Sequence, residues 1–221
     1  LLDGAICVMA NRLAIANGNF SAAGTWTGGI KPGVGDIGLA NNFTVTVDEN
    51  VTCSSLRTDT TGGATAAGVF AVNAGLTINA NIVAGGSSCV TVASGNVTIN
   101  GTVTGGSGSV ARGVANNGTG IVTVNGNILS GSGTNAQACY NVTTGTITVV
   151  GNSTGGPGVN VASLQNVAGG TVNLTGNAIG GALAASPGVL NAGSGPANIT
   201  GTVYGGAVAN SYGAQNSSTG T

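Results

Sequence analysis

Short segments in which apolar and polar residues alternate recur along this chain. Examples are Val97-Thr98-Ile99-Asn100, Val122-Thr123-Val124-Asn125 and Val172-Asn173-Leu174-Thr175. Alternation with a period of two, built largely on β-branched residues, predicts strands with one buried and one exposed face. In the first such unit we expect Val97, Ile99 and Val103 to face the core, and Thr98, Asn100 and Thr102 to face solvent.

The residues between these strands recur at a fixed interval of 25 positions. One glycine column is Gly95, Gly120, Gly145, Gly170, Gly195 and Gly220, and the asparagine column is Asn116, Asn141, Asn166, Asn191 and Asn216. Two further glycine columns begin at Gly101 and Gly106. One unit of this size cannot bury its apolar face alone, so a strict repeat predicts stacked units that share one core.

The predicted fold is all-β: a single-chain parallel β-solenoid, or β-helix, with about 25 residues per coil and an N-terminal cap. We expect the glycines at corners of the coil, at positions that often need a positive φ. The asparagine amides are expected to stack along the axis and bond to one another, which is a structural role. A second, shorter strand is predicted in the column Cys89, Val114, Cys139, Leu164, Val189 and Ala214.

The regularity of the repeat divides the chain into three parts. Residues 95–221 form the regular repeats, and residues 41–94 form irregular first coils, beginning with Thr44-Val45-Thr46-Val47. In these coils, Val69-Phe70-Ala71-Val72 parallels Cys89-Val90-Thr91-Val92 with an offset of 20 residues. Residues 1–40 are predicted to be a cap or attachment segment, with Trp26, Pro32 and Asp36 as its candidate residues. Met9 fits a translation start, which would make the first eight residues an extension.

Charge is scarce and unevenly distributed. Only 4% of the residues are charged and none is His, whereas ordinary domains carry about 25% Asp, Glu, Lys and Arg. The five acids (Asp3, Asp36, Asp48, Glu49 and Asp59) precede residue 60, and Arg112 is the one charged residue after it. A net charge of −1 provides no basic surface for nucleic acid, and no apolar run is long enough for a membrane helix. Neither nucleic-acid binding nor membrane insertion is therefore expected.

The residue types needed for catalysis and metal binding are also missing from the repeats. Glycoside hydrolysis requires two carboxylates placed across the scissile bond, and Asp48 and Glu49, as neighbours in a turn, should point apart. We therefore predict no enzyme activity, no cofactor and no metal site. Cys89 and Cys139 are interpreted as buried thiols, and Cys7 and Cys53 as a pair that could form a bridge only if the chain is exported or lies on a particle exterior.

The first part of the chain resembles a known group of proteins. The residues that carry the resemblance are Asn17-Gly18-Asn19-Phe20, Thr25-Trp26-Thr27-Gly28-Gly29, Pro32, Gly33, Asp36, Thr44-Val45-Thr46-Val47-Asp48 and Ser55-Leu56. This opening is similar to that of β-solenoid virion structural or tail-fibre-like proteins of marine bacteriophages, and the resemblance extends over about residues 9–221. The opening and the repeat body are also similar to secreted bacterial β-helix adhesins.

The resemblance implies a non-enzymatic fibre, spike or capsid-decoration protein on the virion surface. Its expected partners are other virion proteins, copies of itself and a glycan of the host surface, with Tyr140, Tyr204 and Tyr212 as candidate stacking residues. The alternative is a secreted adhesin or filament subunit on the bacterial cell surface. Ice binding is a third interpretation, because Thr98, Thr123 and Thr148 fall in one outward column.

Overall fold

The computed structural model describes residues 9–58 and 68–217. It shows a parallel β-solenoid of about eight turns, with successive turns roughly 25 residues apart. Two short 3-10 turns, Ala23–Thr25 and Thr27–Gly29, interrupt the strands near the start. The predicted fold class is confirmed.

Nine parallel strands form the smaller of two sheets. They are β2 (Gly18–Asn19), β4 (Thr44–Val47), β6 (Val69–Val72), β8 (Val90–Val92), β11 (Val114–Asn116), β14 (Cys139–Asn141), β17 (Leu164–Asn166), β20 (Val189–Asn191) and β23 (Ala214–Asn216). Each strand pairs with the equivalent strand of the next coil, so one column of residues runs along the whole face.

The larger sheet has two arms. The first arm contains β9 (Val97–Asn100), β12 (Ile121–Asn125), β15 (Thr146–Val150), β18 (Thr171–Thr175) and β21 (Ala197–Thr200). The second contains β1 (Asn11–Leu13), β3 (Ile37–Leu39), β10 (Val103–Thr104), β13 (Ile128–Leu129), β16 (Ser153–Thr154), β19 (Ala178–Ile179) and β22 (Val203–Tyr204). The long strands β5 (Val51–Arg57) and β7 (Leu76–Val83) belong to both arms, which join at the Gly101 column in the regular coils.

The core lies between the sheets and follows the predicted alternation. Val97, Ile99 and Val103 are buried, while Thr98 is half-buried and Asn100 and Thr102 are exposed. The same inward columns continue through Val122, Val124, Ile147, Val149, Val172 and Leu174. Stacking like residues above like gives a continuous apolar core, which is the main stabilising contribution to a solenoid.

The solenoid begins earlier than the alternation predicts. β1 pairs with β3, and β2 pairs with β4, so residues 11–19 already contribute strands to both sheets. The prediction that the first coil starts at Thr44 is therefore wrong. Strands of two or three residues are too short to show an alternating pattern, which explains the error.

One predicted column also needs correction. Val90, and not Cys89, pairs with Val114, so Cys89 lies one position before the column that contains Cys139. The corner after β8 is one residue shorter than the corner after β11, because Val92 pairs with Asn116 while Val97 pairs with Val122. The predicted 20-residue offset in the irregular coils is confirmed by the pairing of Phe70 with Val90.

The corner glycines are required for two different reasons. Gly75 and Gly95 have φ values of 80° and 68°, which glycine adopts without strain. At Gly120, Gly145, Gly170 and Gly195, φ is not in this region, but a Cβ atom would overlap the backbone of the preceding coil. Of the described members of this column, Gly95 alone has the positive φ that is expected at many of these corners. Gly220 lies outside the described residues.

Candidate functional site

The asparagine column forms a ladder inside the solenoid. Asn116, Asn141, Asn166 and Asn191 are buried, and the Nδ2 atom of each donates to a glycine carbonyl four residues later, at 2.7–3.2 Å. Successive amides also bond along the axis: Asn141 Nδ2 to Asn166 Oδ1, and Asn166 Nδ2 to Asn191 Oδ1, both at 3.0 Å. Asn216 continues the register at the exposed end. The amide groups thus hold the corners after β11, β14, β17 and β20.

The ladder is interrupted between its first two members. Asn116 Nδ2 bonds to the carbonyls of Gly120 and Thr146, and the Oδ1 atom of Asn141 has no hydrogen-bond partner. The Nδ2 atom of Asn141 nevertheless donates to two acceptors, Gly145 O and Asn166 Oδ1. A buried carbonyl oxygen without a donor destabilises the fold, so the interruption weakens this part of the ladder.

A second set of amides stacks on the outside. Asn125 Nδ2 donates to Asn100 Oδ1 at 2.8 Å, and Asn100 Nδ2 to Asn79 Oδ1 at 2.7 Å. On the same face, Thr98, Thr123 and Thr148 lie in direct register, and Thr77 precedes them. Asn173 follows them and donates to Thr148 Oγ1 at 3.3 Å. The outward face of the first arm is therefore a nearly uncharged array in which hydroxyl and amide groups predominate, with Ile121 and Val150 as exposed apolar side chains.

The aromatic residues of the first coil lie within the core. Trp26 is fully buried, donates its Nε1 proton to the Phe20 carbonyl at 2.9 Å, and meets the Phe20 ring edge-on at 5.2 Å between ring centroids. Pro32 is buried against Gly38, where a Cβ atom would lie 3.0 Å from both Pro32 and Leu56. Trp26 and Pro32 thus anchor the irregular segment, residues 20–36 between β2 and β3, to the first coils.

Asp36 ties the same segment together through hydrogen bonds. Its carboxylate accepts bonds from Ala10 N at 3.2 Å, Arg12 Nε at 3.0 Å and Gly33 N at 3.1 Å. Burial alone would raise the pKa of Asp36, but these three donors and the charge of Arg12 outweigh it and hold the pKa below its ordinary value. This carboxylate is an internal brace for the first coil.

The two other described carboxylates also have structural partners. Asp48 accepts hydrogen bonds from Ser21 N at 3.0 Å and Ser21 Oγ at 2.6 Å. Although burial acts to raise it, the pKa of Asp48 is lowered by these bonds. Glu49 forms an ion pair with Lys31. Both contacts join the segment after β2 to the turn after β4.

The cysteine thiols are packed inside. Burial raises the pKa of Cys53 and of Cys139 to about 12, and Cys89 is buried with its Sγ donating to the Leu56 carbonyl at 3.3 Å. Cys89 and Cys139 therefore have the predicted buried positions. Cys7, and with it the pairing considered for Cys53, lies outside the described residues.

Arg112 makes a contact that the sequence did not predict. Its guanidinium carbon lies 3.6 Å from the centroid of the Tyr140 ring, and its Nε donates to Gln137 Oε1 at 3.4 Å. Gln137 in turn donates to Gln165 Oε1 at 2.7 Å. The ring face of Tyr140 is therefore occupied by a cation, whereas Tyr204 and Tyr212 are 49% and 46% exposed. Burial lowers the pKa of Arg112.

Among the described residues, no group of three or more His, Cys, Asp or Glu side chains could hold a metal ion, and no helix is long and apolar enough to cross a membrane. A shallow groove lies along the second arm, lined by residues that include Gly106, Gly131 and Pro157. Comparison with protein-family models, curated proteins and solved structures finds no match for this chain.

Proposed function

We propose that this chain is a non-enzymatic structural protein of a bacteriophage virion: a fibre, spike or capsid-decoration protein whose stiff rod projects from the particle and contacts the host surface. The observation that carries the proposal is the stack of about eight turns in two sheets. Turns about 4.8 Å apart give a stack of roughly 40 Å. The similarity of residues 17–56 to virion β-solenoids supports the choice of particle.

The use of the carboxylates supports a structural role. The carboxylates of Asp36, Asp48 and Glu49 each bind a donor within residues 12–31, so their charges stabilise the first coil. General acid–base catalysis needs a carboxyl group that faces a substrate and can exchange a proton with it. Carboxylates with lowered pKa and internal donors are poorly suited to that task.

The N-terminal segment is the part that we assign to attachment. Met9, Ile30 and Val34 expose 52–75% of their surface there, and the charged Lys31 lies between Ile30 and Val34 in sequence. Exposed apolar side chains mixed with charge are typical of a surface that binds another protein. The repeats would then extend away from the particle and provide length.

Immunogold electron microscopy tests this proposal directly. An antibody raised against residues 1–60 is applied to the source material, and gold on phage heads or tails is expected. Gold confined to bacterial surfaces or free filaments would contradict the virion role and favour the secreted adhesin. The antibody must first label the purified protein, so that an absence of gold on particles is informative.

A second candidate, ice binding, rests on the Thr77, Thr98, Thr123 and Thr148 column. These hydroxyls repeat about every 4.8 Å on a parallel sheet, which is the kind of regular spacing an ordered water layer can match. Thermal hysteresis of the purified protein that falls on replacing Thr123 with Leu would support this function. An absence of hysteresis in the wild-type protein would rule it out.

A further inference from the structure

The charge of Arg112 has no carboxylate partner among residues 9–58 and 68–217. The two ion pairs there are Arg12–Asp36 and Lys31–Glu49, both in the first coils. Arg112 is half-buried, and the sequence contains no acid after residue 59. A partly desolvated cation with no counter-ion among the described residues costs free energy, so an anionic ligand at this position would be bound favourably.

The guanidinium is held in a defined position by its neighbours. One face of the guanidinium packs on the Tyr140 ring, and the buried side chain of Gln137 accepts a hydrogen bond from Nε. Gln137 is itself fixed by its bond to Gln165. Because Nε is already bonded and one face is covered, the Nη atoms are the donors of Arg112 that remain for a ligand. A guanidinium fixed in this way loses little conformational entropy on binding.

The surroundings of Arg112 indicate the class of ligand. Tyr140 pairs directly with Gln165 in the next coil and with Ala115 in the preceding one, so an aromatic ring, an amide and a small side chain adjoin on the outer face of the smaller sheet. The Gln165 side-chain oxygen is occupied by Gln137, which leaves its NH₂ group as the outward donor. Planar guanidinium donors match a carboxylate, and a neighbouring amide matches hydroxyl groups.

We propose that Arg112, Tyr140 and Gln165 form a binding site for the carboxylate of an acidic, uronate-type polysaccharide. Arg112 binds the carboxylate, Tyr140 positions the guanidinium, and Gln165 donates to a neighbouring sugar oxygen. The proposal deepens the proposed surface contact and rests on it, since a rod displayed on a particle would meet such polymers on its host. It also changes the role expected of Tyr140, whose ring supports a cation instead of stacking on a sugar.

Affinity electrophoresis of the purified chain through gels containing polygalacturonate tests the site. Retardation by this polymer is expected, with little retardation by the same polymer after reduction of its carboxyl groups. Arg112→Gln should weaken binding at least about ten-fold, because a charge-assisted bidentate contact is lost. Arg112→Lys should restore only part of it, because an ammonium group cannot make the planar bidentate contact.

Tyr204→Ala is the matched control, because it removes an exposed ring from the other sheet and should not alter binding. Circular dichroism and the melting temperature establish that each variant is folded. Equal retardation of the wild-type and Arg112→Gln proteins, equal retardation by the reduced polymer, or no retardation at all would overturn the site. These outcomes are independent of the immunogold result: a protein that labels virions but ignores the polymer refutes the site alone.

Discussion

Residues 9–94 and residues 95–217 build coils of the same two sheets by different means. The first part joins its coils with Asp36, Asp48 and the Lys31–Glu49 ion pair, and its coil lengths vary from 18 residues, between Ile37 and Ser55, to 27, between Val51 and Ile78. The second part repeats every 25 residues through buried amides and close backbone contacts. A strict repeat allows identical neighbours to satisfy one another, whereas irregular coils require specific polar partners.

The largest expected effect is the loss of stability when a corner glycine is replaced. It distinguishes glycines required by a positive φ from glycines required by close contact with the preceding coil. Gly120→Ala would place Cβ against the carbonyl oxygen of Gly95, while Gly75→Ala meets no atom within 4 Å and suffers only from its φ of 80°. We expect Gly120→Ala to lower the free energy of unfolding by about 3 kcal/mol or more, and Gly75→Ala by about 1 kcal/mol.

Urea unfolding followed by circular dichroism measures both losses. Gly75→Asn provides the matched control, because Asn tolerates a positive φ and should cost less than Gly75→Ala. If Gly120→Ala cost no more than Gly75→Ala, close stacking would not be the reason for glycine in the regular coils.

The next effect compares the two amide ladders. Asn166→Ala removes donors to Gly170 O and Asn191 Oδ1 inside the protein, and should cost about 2–3 kcal/mol in unfolding free energy. Asn125→Ala removes an exposed bond to Asn100, for which water can substitute, and should cost less than about 0.5 kcal/mol. The melting temperatures of both variants check this difference. If both variants lost a similar amount of stability, burial would not determine how much a hydrogen bond between stacked amides contributes.

A smaller effect is expected in the loops that precede the smaller-sheet strands. Asn135, Asn160 and Asn210 have φ values of 56–61°, and Ala185 has the same conformation at 55°. Because asparagine tolerates this region better than alanine, Ala185→Asn should stabilise the protein by about 1 kcal/mol, and Asn160→Ala should destabilise it by a similar amount. Thermal unfolding of the two variants tests the opposite signs. A fall in stability on Ala185→Asn would contradict the explanation.

The smallest expected effect is a loss of stability at low pH, which should be confined to residues 9–94. The pKa values of Asp36 and Asp48 are lowered in the folded chain, so their stabilising contribution is present above about pH 4 and is lost as the pH falls through the lower folded values. Repeat proteins can unfold locally, so we expect a partial transition near the N-terminus. The fluorescence of Trp26, the single tryptophan, reports on this region.

Acidification to about pH 2 should therefore shift the Trp26 emission, while far-ultraviolet circular dichroism of the repeats changes little. In Asp36→Asn, the neutral amide cannot titrate, and the acid-induced shift should be smaller. A transition that appears equally in both signals would show that the two parts unfold as one unit.

The asparagine ladder could be predicted from sequence because asparagine recurs at a fixed interval, which places Asn141, Asn166 and Asn191 one above another. The Arg112–Tyr140 contact could not, since the two residues are 28 positions apart and do not share a column. The left-handed positions were detectable in principle: Asn135, Asn160 and Asn210 fit the 25-residue interval, with Ala185 in the gap between them. The sequence alone could not show why residue 120 must be glycine, because the reason is the short distance to the backbone of the preceding coil.

By itself, the sequence determined the strand faces, the period and the stacked core, because alternation and repetition are local patterns that a solenoid copies directly into space. The tertiary structure decided what happens where the pattern is absent. It placed β1 and β2 in the first coil, set the register at Val90 instead of Cys89, and brought Arg112 onto Tyr140. These outcomes depend on loop length and on contacts between coils, which short-range patterns do not encode.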